Sequence, residues 1–307
     1  MTPLKKITKN HRLGFIGLGH LGSPMARRLL AAGFPMVVSN RDPNKTTAFA
    51  ALGAEVARDP GELATQVDVV LSCVPDGAAV ETVYLGPDGV LRNAKPGTLV
   101  IEMSTVAPDT SQKLNRVARE LRISVVDVAV SGSAPAAEAG TLTLLGGGDR
   151  QDFDAAEAIF GAIAKQWFYM GPSGSGVAMK LVVNTLLGTG MQAVAESVAL
   201  GEALGLPRDL LFDTLAKTAV VSPVQAGKLG STKRRDYTPQ FPIRLMKKDF
   251  GLALSAATRV GLSLPAAEAA AAVNAAETAN GGEEDFSAVV RWMERQVVAE
   301  NSVPPAA

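Results

Sequence analysis

The first residues that could carry out chemistry are three glycines close to the amino terminus. Gly17, Gly19 and Gly22 have the spacing G-x-G-x-x-G and directly follow the apolar run at residues 13–16. Between a strand and a helix, such glycines permit a tight turn, let the backbone approach a pyrophosphate and let the helix pack closely on the sheet. The first turn of that helix directs unpaired N–H groups at the anion. We therefore predict a dinucleotide site. Its predicted phosphate-binding residues are Gly17, Leu18, Gly19, His20 and Leu21.

The end of the second predicted strand, at residues 36–39, indicates which dinucleotide binds. An acidic residue there accepts hydrogen bonds from the adenosine ribose and repels a 2′-phosphate, whereas this chain has Asn40 followed by Arg41. A guanidinium forms charge-assisted, often bidentate, hydrogen bonds to phosphate. Asp42 argues against a phosphate, unless its carboxylate turns into the turn at 42–44. We predict that the cofactor is NADP, with NADPH preferred over NADH.

Composition and charge exclude several classes of function. The 307 residues include 30 basic and 30 acidic side chains and one cysteine, and this balance does not indicate binding to nucleic acid or to an anionic membrane. A single cysteine permits neither an internal disulfide nor a cysteine-rich zinc site, and Cys73 lies in an apolar run that favours a small core residue over a nucleophile. We predict no metal site. A polar start without an apolar segment of about 18 residues predicts a cytoplasmic protein with no secretory signal or membrane span.

The order of the predicted elements divides the chain. The predicted strands are 13–16, 36–39, 67–74, 98–102, 123–128, 141–145 and 166–169. Helical patterns separate the earlier strands, and this alternation predicts a parallel sheet covered on both faces. After the Gly/Ser-rich stretch at 171–176, almost only helical periodicity remains. The predicted fold class is α/β, a Rossmann-type doubly wound sheet followed by an all-α domain. The predicted boundaries are 11–173 for the dinucleotide-binding domain, 174–297 for a helical substrate and dimerisation domain, and 298–307 for a tail.

A hydride-transferring enzyme also needs a group that exchanges a proton with the substrate oxygen. His11 precedes the first strand and His20 lies in the phosphate loop, no tyrosine is followed by lysine four residues later, and zinc ligands are lacking. Lys180 lies among apolar residues early in the first helix of the second domain, and Asn184 follows on the same helix face. Desolvation would lower the pKa of Lys180 towards a range where it both donates and accepts a proton. The alternative is an interface lysine that extends to solvent.

Several further segments carry a family resemblance. They read DVAVSGS at 127–133 followed by AEAGTL at 137–142, GSGVAMKLVVN at 174–184, FPIRLMKKDF at 241–250 and EMSTVAP at 102–108. Together with the glycine motif, in the same order, they resemble the β-hydroxyacid dehydrogenases, the family of 3-hydroxyisobutyrate dehydrogenase, over roughly residues 12–297. The Asn40-Arg41 pair and the 241–250 segment are most similar to the glyoxylate/succinic semialdehyde reductase branch, and tartronate semialdehyde reductases are similar too.

The resemblance implies that this chain interconverts a small carboxylate-bearing aldehyde and its hydroxy acid. Lys180 would be the general acid in reduction and the general base in oxidation. The implied substrate-binding residues are Ser131, Gly132 and Ser133 for the carboxylate, Asn184 for orientation, and Phe241 and Asp249 for closing the cleft. The implied nicotinamide-side residues are Cys73, Val74, Pro75 and Thr105, with Lys248 touching the cofactor from the helical domain.

Two departures and several alternatives qualify this interpretation. The family usually has proline at the position of Ala129 and glycine at the position of Ser133, so the resemblance does not identify the substrate. Imine reductases share the layout and the use of NADPH but typically lack the lysine, and a 6-phosphogluconate-type decarboxylase would need a histidine near Lys180. A non-catalytic dinucleotide-binding interaction protein would have lost Lys180 or the Ser131 segment. We expect a homodimer or homotetramer with a small-molecule substrate and no nucleic-acid or membrane partner.

Overall fold

The computed structural model describes residues 4–301 and divides after Lys180 into two compact units. The strands of the first unit are β1 (Leu13–Ile16), β2 (Met36–Ser39), β3 (Glu55–Val56), β4 (Val69–Ser72), β5 (Leu99–Glu102), β6 (Ser124–Ser131), β7 (Leu142–Gly147) and β8 (Ala164–Gly171). Its helices are α1 (Gly22–Ala31), α2 (Asn44–Ala50), α3 (Pro60–Thr65), α4 (Gly77–Leu85), α5 (Val90–Asn93), α6 (Pro108–Glu120), α7 (Ala134–Ala139), α8 (Arg150–Ala155) and α9 (Glu157–Ile163).

These strands form one sheet in the order β3-β2-β1-β4-β5-β6-β7-β8. The pairings that join β3, β2, β1, β4, β5 and β6 are parallel, as predicted. Strand β7 runs antiparallel to β6, so the prediction of a parallel sheet was wrong at this strand. The connection at 132–141 is shorter than the roughly dozen residues that a parallel crossover needs. The prediction also missed β3, whose two residues are exposed and therefore show no apolar run.

Apolar residues on the strands alternate between the two faces of the sheet, and each face has its own buried cluster. On β4, Val70 belongs to one cluster and Leu71 to the other, and both are fully buried. Helices α1 and α9 supply residues to the cluster of Leu71, whereas α4 and α6 supply residues to the cluster of Val70. Because parallel strands covered on both faces are apolar throughout, the sheet confirms the predicted doubly wound arrangement.

The second unit is helical among the residues that the structure describes. Its elements are the greater part of α10 (Ser175–Ala203), then α11 (Arg208–Leu215), α12 (Pro223–Lys233), α13 (Ile243–Arg259), α14 (Pro265–Gly281), a 3₁₀ turn (Phe286–Ala288) and α15 (Val289–Asn301). Phe212, Met246 and Phe250 lie in its buried core. Residues 298–301 of the predicted tail continue α15, and 302–307 lie outside the described residues.

Helix α10 starts in the first unit and continues into the second, because Lys180, the last residue of the first unit, lies within it. It is the one helix within residues 4–301 whose length and composition would allow it to cross a membrane. These properties are weak evidence for a membrane span, since core helices of globular domains share them. Within α10, 44% of the most apolar window is buried.

Candidate functional site

The three glycines of the phosphate loop meet different surroundings, which explains their spacing. Gly17 has a φ of +94°, and a Cβ on it would lie 2.3 Å from the Cys73 carbonyl oxygen. A Cβ on Gly22 would lie 1.9 Å from the Gly17 carbonyl oxygen, so the start of α1 packs directly on the turn. Gly19 is exposed and faces open space within 4 Å. The first and third glycines therefore shape the loop, and the second leaves room for a pyrophosphate.

The backbone N–H groups of the same loop differ in whether they have an acceptor within the protein. The Leu18 N–H donates to Asn40 Oδ1 at 2.8 Å and Leu18 is 2% exposed, so this N–H group is committed to the loop. Among the described residues, the amides of Gly19, His20 and Leu21 have no recorded acceptor. These free donors at the start of α1 fit a dinucleotide diphosphate.

The turn after β2 is held by hydrogen bonds of Asn40 and Asp42. Asn40 lies between the two loops, because its Nδ2 also donates to the Asp42 carbonyl oxygen at 2.9 Å. The Asp42 carboxylate accepts the Asn44 N–H at 3.1 Å and is thereby committed to the turn. Arg41 is exposed beside a neutral amide. The structure thus resolves the alternative for Asp42 that the sequence left open.

The loops that follow β4 and β5 are tied together by a buried row of polar residues. Ser72, Glu102 and Asp127 are register partners on β4, β5 and β6, and each is at most 1% exposed. We call these three residues the polar row. Glu102 Oε1 accepts the Ser104 N–H at 2.9 Å and the Ser72 hydroxyl at 3.3 Å, and Ser72 in turn accepts the Tyr84 hydroxyl at 2.7 Å.

The polar row extends to the residues expected beside the nicotinamide. Ser104 Oγ accepts the Val74 N–H at 2.8 Å, so the loop at 73–75 and the loop at 103–105 both depend on Glu102. Cys73, Val74 and Thr105 are half-buried and Pro75 is exposed. Cys73 lies after β4 instead of within it, because the strand ends at Ser72.

Burial raises the pKa values of the two carboxyl groups in the polar row. It raises the pKa of Glu102 to about 7, hydrogen bonds from Ser104 lower that pKa, and the neighbouring charge of Asp127 raises it. Burial also raises the pKa of Asp127, whereas N–H groups of Gly174 and Val177 lower it. Glu102 Oε2 is buried and has no hydrogen-bond partner among the described residues. The row thus contains a carboxyl group that changes charge near neutral pH.

Asp127 fixes the start of α10. Its Oδ1 accepts the Gly174 N–H at 2.7 Å and its Oδ2 accepts the Val177 N–H at 3.1 Å. A Cβ on Gly176 would lie 2.4 Å from the Leu145 carbonyl oxygen and 2.9 Å from Asp127 Oδ2, so only glycine fits between helix and sheet. The glycine-rich segment at 174–176 is therefore required for this close approach.

Lys180 and Asn184 lie one turn apart on α10, and they are 8% and 2% exposed. In the second unit, Asn184 Nδ2 donates to Asp249 Oδ2 at 2.5 Å, and Lys248 Nζ lies 3.1 Å from Asp249 Oδ1. Asn184 Oδ1 is buried without a partner among the described residues. Asp249 therefore fixes the orientation of the Asn184 amide and leaves its oxygen available as an acceptor.

The predicted carboxylate loop follows the extended end of β6. Beyond the polar row, β6 continues from Val128 to Ser131, about 13 Å further. Gly132 has a φ of +143°, which favours glycine, and Ser133 begins α7 without a side-chain cap. Both serines are half-buried, and neither hydroxyl has a recorded partner among the described residues. The hydroxyls are thus free to bind an anion.

Phe241 is placed by a buried ion pair in the second unit. Asp285 Oδ2 accepts the Phe241 N–H at 3.1 Å and lies 2.7 Å from Lys228 Nζ. The Phe241 ring packs edge-on against Phe286, with the ring centroids 5.8 Å apart. The position of Phe241 is therefore fixed by its backbone as well as by its ring.

No role for Glu102, Asp127 or Asp285 was predicted from the sequence. The signal for the first two was available, because each is the single carboxylate in an otherwise apolar strand segment. Asp285 gave no such signal, since it follows two glutamates in a polar stretch.

Comparisons with known proteins agree with this geometry. The family model described as the NAD binding domain of 6-phosphogluconate dehydrogenase matches residues 12–171. The model described as NAD-binding of NADP-dependent 3-hydroxyisobutyrate dehydrogenase matches residues 174–293. Between them the two models cover both units.

Relatives match over nearly their whole length. NAD-dependent L-serine dehydrogenase of Pseudomonas aeruginosa is 37% identical over 91% of this chain and 96% of its own. Glyoxylate/succinic semialdehyde reductase 1 of Arabidopsis thaliana is 36% identical over 91% and 96%.

Solved structures give the same result. Mycobacterium tuberculosis 3-hydroxyisobutyrate dehydrogenase with L-serine is 30% identical, with a TM-score of 0.84 over 92% of this chain and 99% of that one. An imine reductase from Pseudomonas sp., 22% identical with a TM-score of 0.61, shares the fold alone. The chain therefore belongs to the β-hydroxyacid dehydrogenase family, the family of 3-hydroxyisobutyrate dehydrogenase, and is an NAD(P)-dependent oxidoreductase.

Proposed function

We propose that the protein interconverts a small carboxylate-bearing aldehyde, a semialdehyde or glyoxylate, and its hydroxy acid, with NADP(H) as cofactor and Lys180 as general acid and base. The observation that carries this proposal is the buried Lys180 on a helix whose first turn is fixed to the sheet. A bound nicotinamide supplies or accepts the hydride, so the protein has to handle the proton. Lys180 gives that proton to the carbonyl oxygen in reduction and removes it from the hydroxyl in oxidation.

Asn184 supports Lys180 in this mechanism. Since Asp249 holds the Asn184 amino group, the unpartnered Oδ1 is the atom that faces a substrate. In oxidation the single hydrogen of the reacting hydroxyl goes to the neutral amine of Lys180, so Oδ1 accepts from an N–H of Lys180 or from another polar hydrogen of the substrate. Such contacts hold the reacting groups in one orientation, which is a large part of catalysis.

Substrate selection rests on the carboxylate loop. The unpartnered hydroxyls of Ser131 and Ser133 and the exposed backbone of Gly132 offer several donors to one anion. Charge-assisted hydrogen bonds of this kind are short and strong. Ser133 adds a hydroxyl where the family usually has glycine, and we propose that it favours substrates with a further polar group beside the carboxylate.

Cofactor preference rests on Arg41. With the Asp42 carboxylate committed to Asn44, the side chains left at the ribose end are the neutral Asn40 and the cationic Arg41. A guanidinium there stabilises a 2′-phosphate. We propose NADPH over NADH on this basis.

The proposal is tested by NADPH oxidation with glyoxylate, succinic semialdehyde, tartronate semialdehyde and methylmalonate semialdehyde, and by NADP⁺ reduction with L-serine and the matching hydroxy acids. A cyclic imine serves as the control for the alternative chemistry. We expect turnover of at least one carboxylate-bearing aldehyde and none of the imine. Turnover of the imine alone would support an imine reductase, and failure of every substrate despite NADPH binding would support a non-catalytic dinucleotide-binding protein.

The role of Lys180 is tested by Lys180→Ala, Lys180→Met and Lys180→Arg. Loss of a general acid lowers the rate by about 10²–10⁴-fold. Met keeps the aliphatic length, and Arg keeps the charge but does not release its proton near neutral pH. All three variants should lose turnover to that extent and still bind NADPH, followed by its fluorescence. A variant that keeps most of its turnover would remove Lys180 from the mechanism.

A further inference from the structure

We propose that Asp127 is a positioning residue for Lys180. Its carboxylate fixes the first turn of α10 to the sheet, so that the lysine side chain extends from a backbone with one position. This inference rests on the proposed role of Lys180 in proton transfer. It concerns only residues of the first unit, since Asp127 and Lys180 both precede the division of the chain.

The bonding of Asp127 matches the needs of a helix start. The first N–H groups of a helix have no partners within it, and the partial positive charge there favours an anion. Asp127 accepts one such group, the Val177 N–H at 3.1 Å, and also the N–H of Gly174, the residue just before the helix, at 2.7 Å. A neutral amide has only one acceptor atom, so asparagine cannot keep both bonds.

The packing around Asp127 is close, so a repulsive contact in place of one of its hydrogen bonds would displace the start of the helix. A Cβ on Gly147 would lie 2.8 Å from the Gly176 nitrogen, and a Cβ on Gly176 would lie 2.4 Å from the Leu145 carbonyl oxygen. Backbone therefore lies directly on backbone at this point. Val177, which follows Gly176, is fully buried in the core cluster that also contains Val70.

Lys180 is close enough to this anchor to follow it. It lies five residues after Ser175, about 7.5 Å along the helix axis. A helix transmits a shift of its first turn over that distance, and a misplacement of about 1 Å can lower a rate by about 100-fold. Loss of the anchor should therefore reduce turnover more than it reduces binding.

The test compares Asp127→Asn with Asp59→Asn. Asp59 also accepts a helix-start N–H, that of Glu62 at 2.7 Å, but it caps α3, which carries no predicted site residue. For Asp127→Asn we expect hydrogen exchange at residues 174–180 to accelerate at least tenfold, kcat to fall about 10- to 100-fold, and NADPH Kd and aldehyde KM to stay within about threefold. Asp59→Asn should change none of these quantities.

A double variant separates positioning from general loss of structure. If Asp127 acts through Lys180, adding Asp127→Asn to Lys180→Ala should lower kcat no further, because residues that act as a unit are not additive. Unchanged exchange at 174–180, an unchanged kcat, or an equal further loss in the Lys180→Ala background would each overturn the proposal. If Lys180→Ala itself keeps turnover, the proposed function fails, and the exchange data still decide whether Asp127 fixes α10.

Discussion

Replacing Glu102 by glutamine should change how the stability of the protein depends on pH. Glu102 is 1% exposed, and burial raises its pKa from an ordinary 4.5 to about 7. Between these two values the folded chain binds more protons than the unfolded chain. The contribution of Glu102 to folding stability therefore decreases as pH rises through this window, and the decrease is complete above pH 7.

The structure sets the size of the effect. A shift from 4.5 to about 7 corresponds to about 3 kcal/mol at about 1.4 kcal/mol for each pKa unit. Glutamine does not titrate, and its carbonyl oxygen can still accept the Ser104 N–H and the Ser72 hydroxyl. Any constant cost of the new amide group is the same at every pH. The quantity to compare is thus the difference in free energy of unfolding between the two proteins at pH 8.5 minus that difference at pH 4.5.

The assay is urea unfolding of wild type and Glu102→Gln without cofactor at pH 4.5, 5.5, 6.5, 7.5 and 8.5, followed by circular dichroism. Relative to wild type, the variant should gain about 3 kcal/mol between the ends of this range. Glu157→Gln, a change at an exposed carboxylate, serves as the control and should follow the wild-type curve. Parallel curves for wild type and Glu102→Gln would refute the reasoning, because they would show that Glu102 titrates at the same pH in both states.

Two further predictions concern the ligands. Arg41→Ala should raise the KM for NADPH far more than that for NADH. The expected loss of NADPH binding free energy is about 1.5–3 kcal/mol, the value of one hydrogen bond to a charged group. A wild type that already prefers NADH would contradict the assignment. Ser131→Ala should raise the KM of carboxylate-bearing aldehydes about tenfold, which corresponds to one hydrogen bond to a charged group. The KM of a neutral aldehyde should change less. Equal increases in KM for both kinds of aldehyde in steady-state assays would show that the loop does not bind the carboxylate.

The parts of the fold that follow from local sequence were predictable. Apolar strands, glycine positions and the change to helical periodicity are all visible in the residues. The direction of β7 was not, because it depends on the length of the connection at 132–141 and not on any residue within the strand. The domain boundary at 173 stays a prediction.

The burial of Lys180 was predictable from the sequence, whereas its role in proton transfer stays a prediction. Lys180 is buried as the apolar neighbours indicated. The polar row was not predicted, because it exists only once β4, β5 and β6 are in register, and no spacing along the chain reports that alignment. The homodimer or homotetramer remains a prediction.

The two hydrogen bonds of Asn40 have a consequence for attempts to redesign the cofactor preference. One bond holds the phosphate loop at Leu18 and the other holds the turn at Asp42, so a single amide joins two recognition elements. Substitutions at Arg41 or Asp42 that move this turn will also disturb the diphosphate contacts, and their effects on affinity will not be additive. A variant with altered cofactor preference that keeps turnover should therefore retain Asn40 and replace only side chains whose loss leaves the backbone of the turn in place.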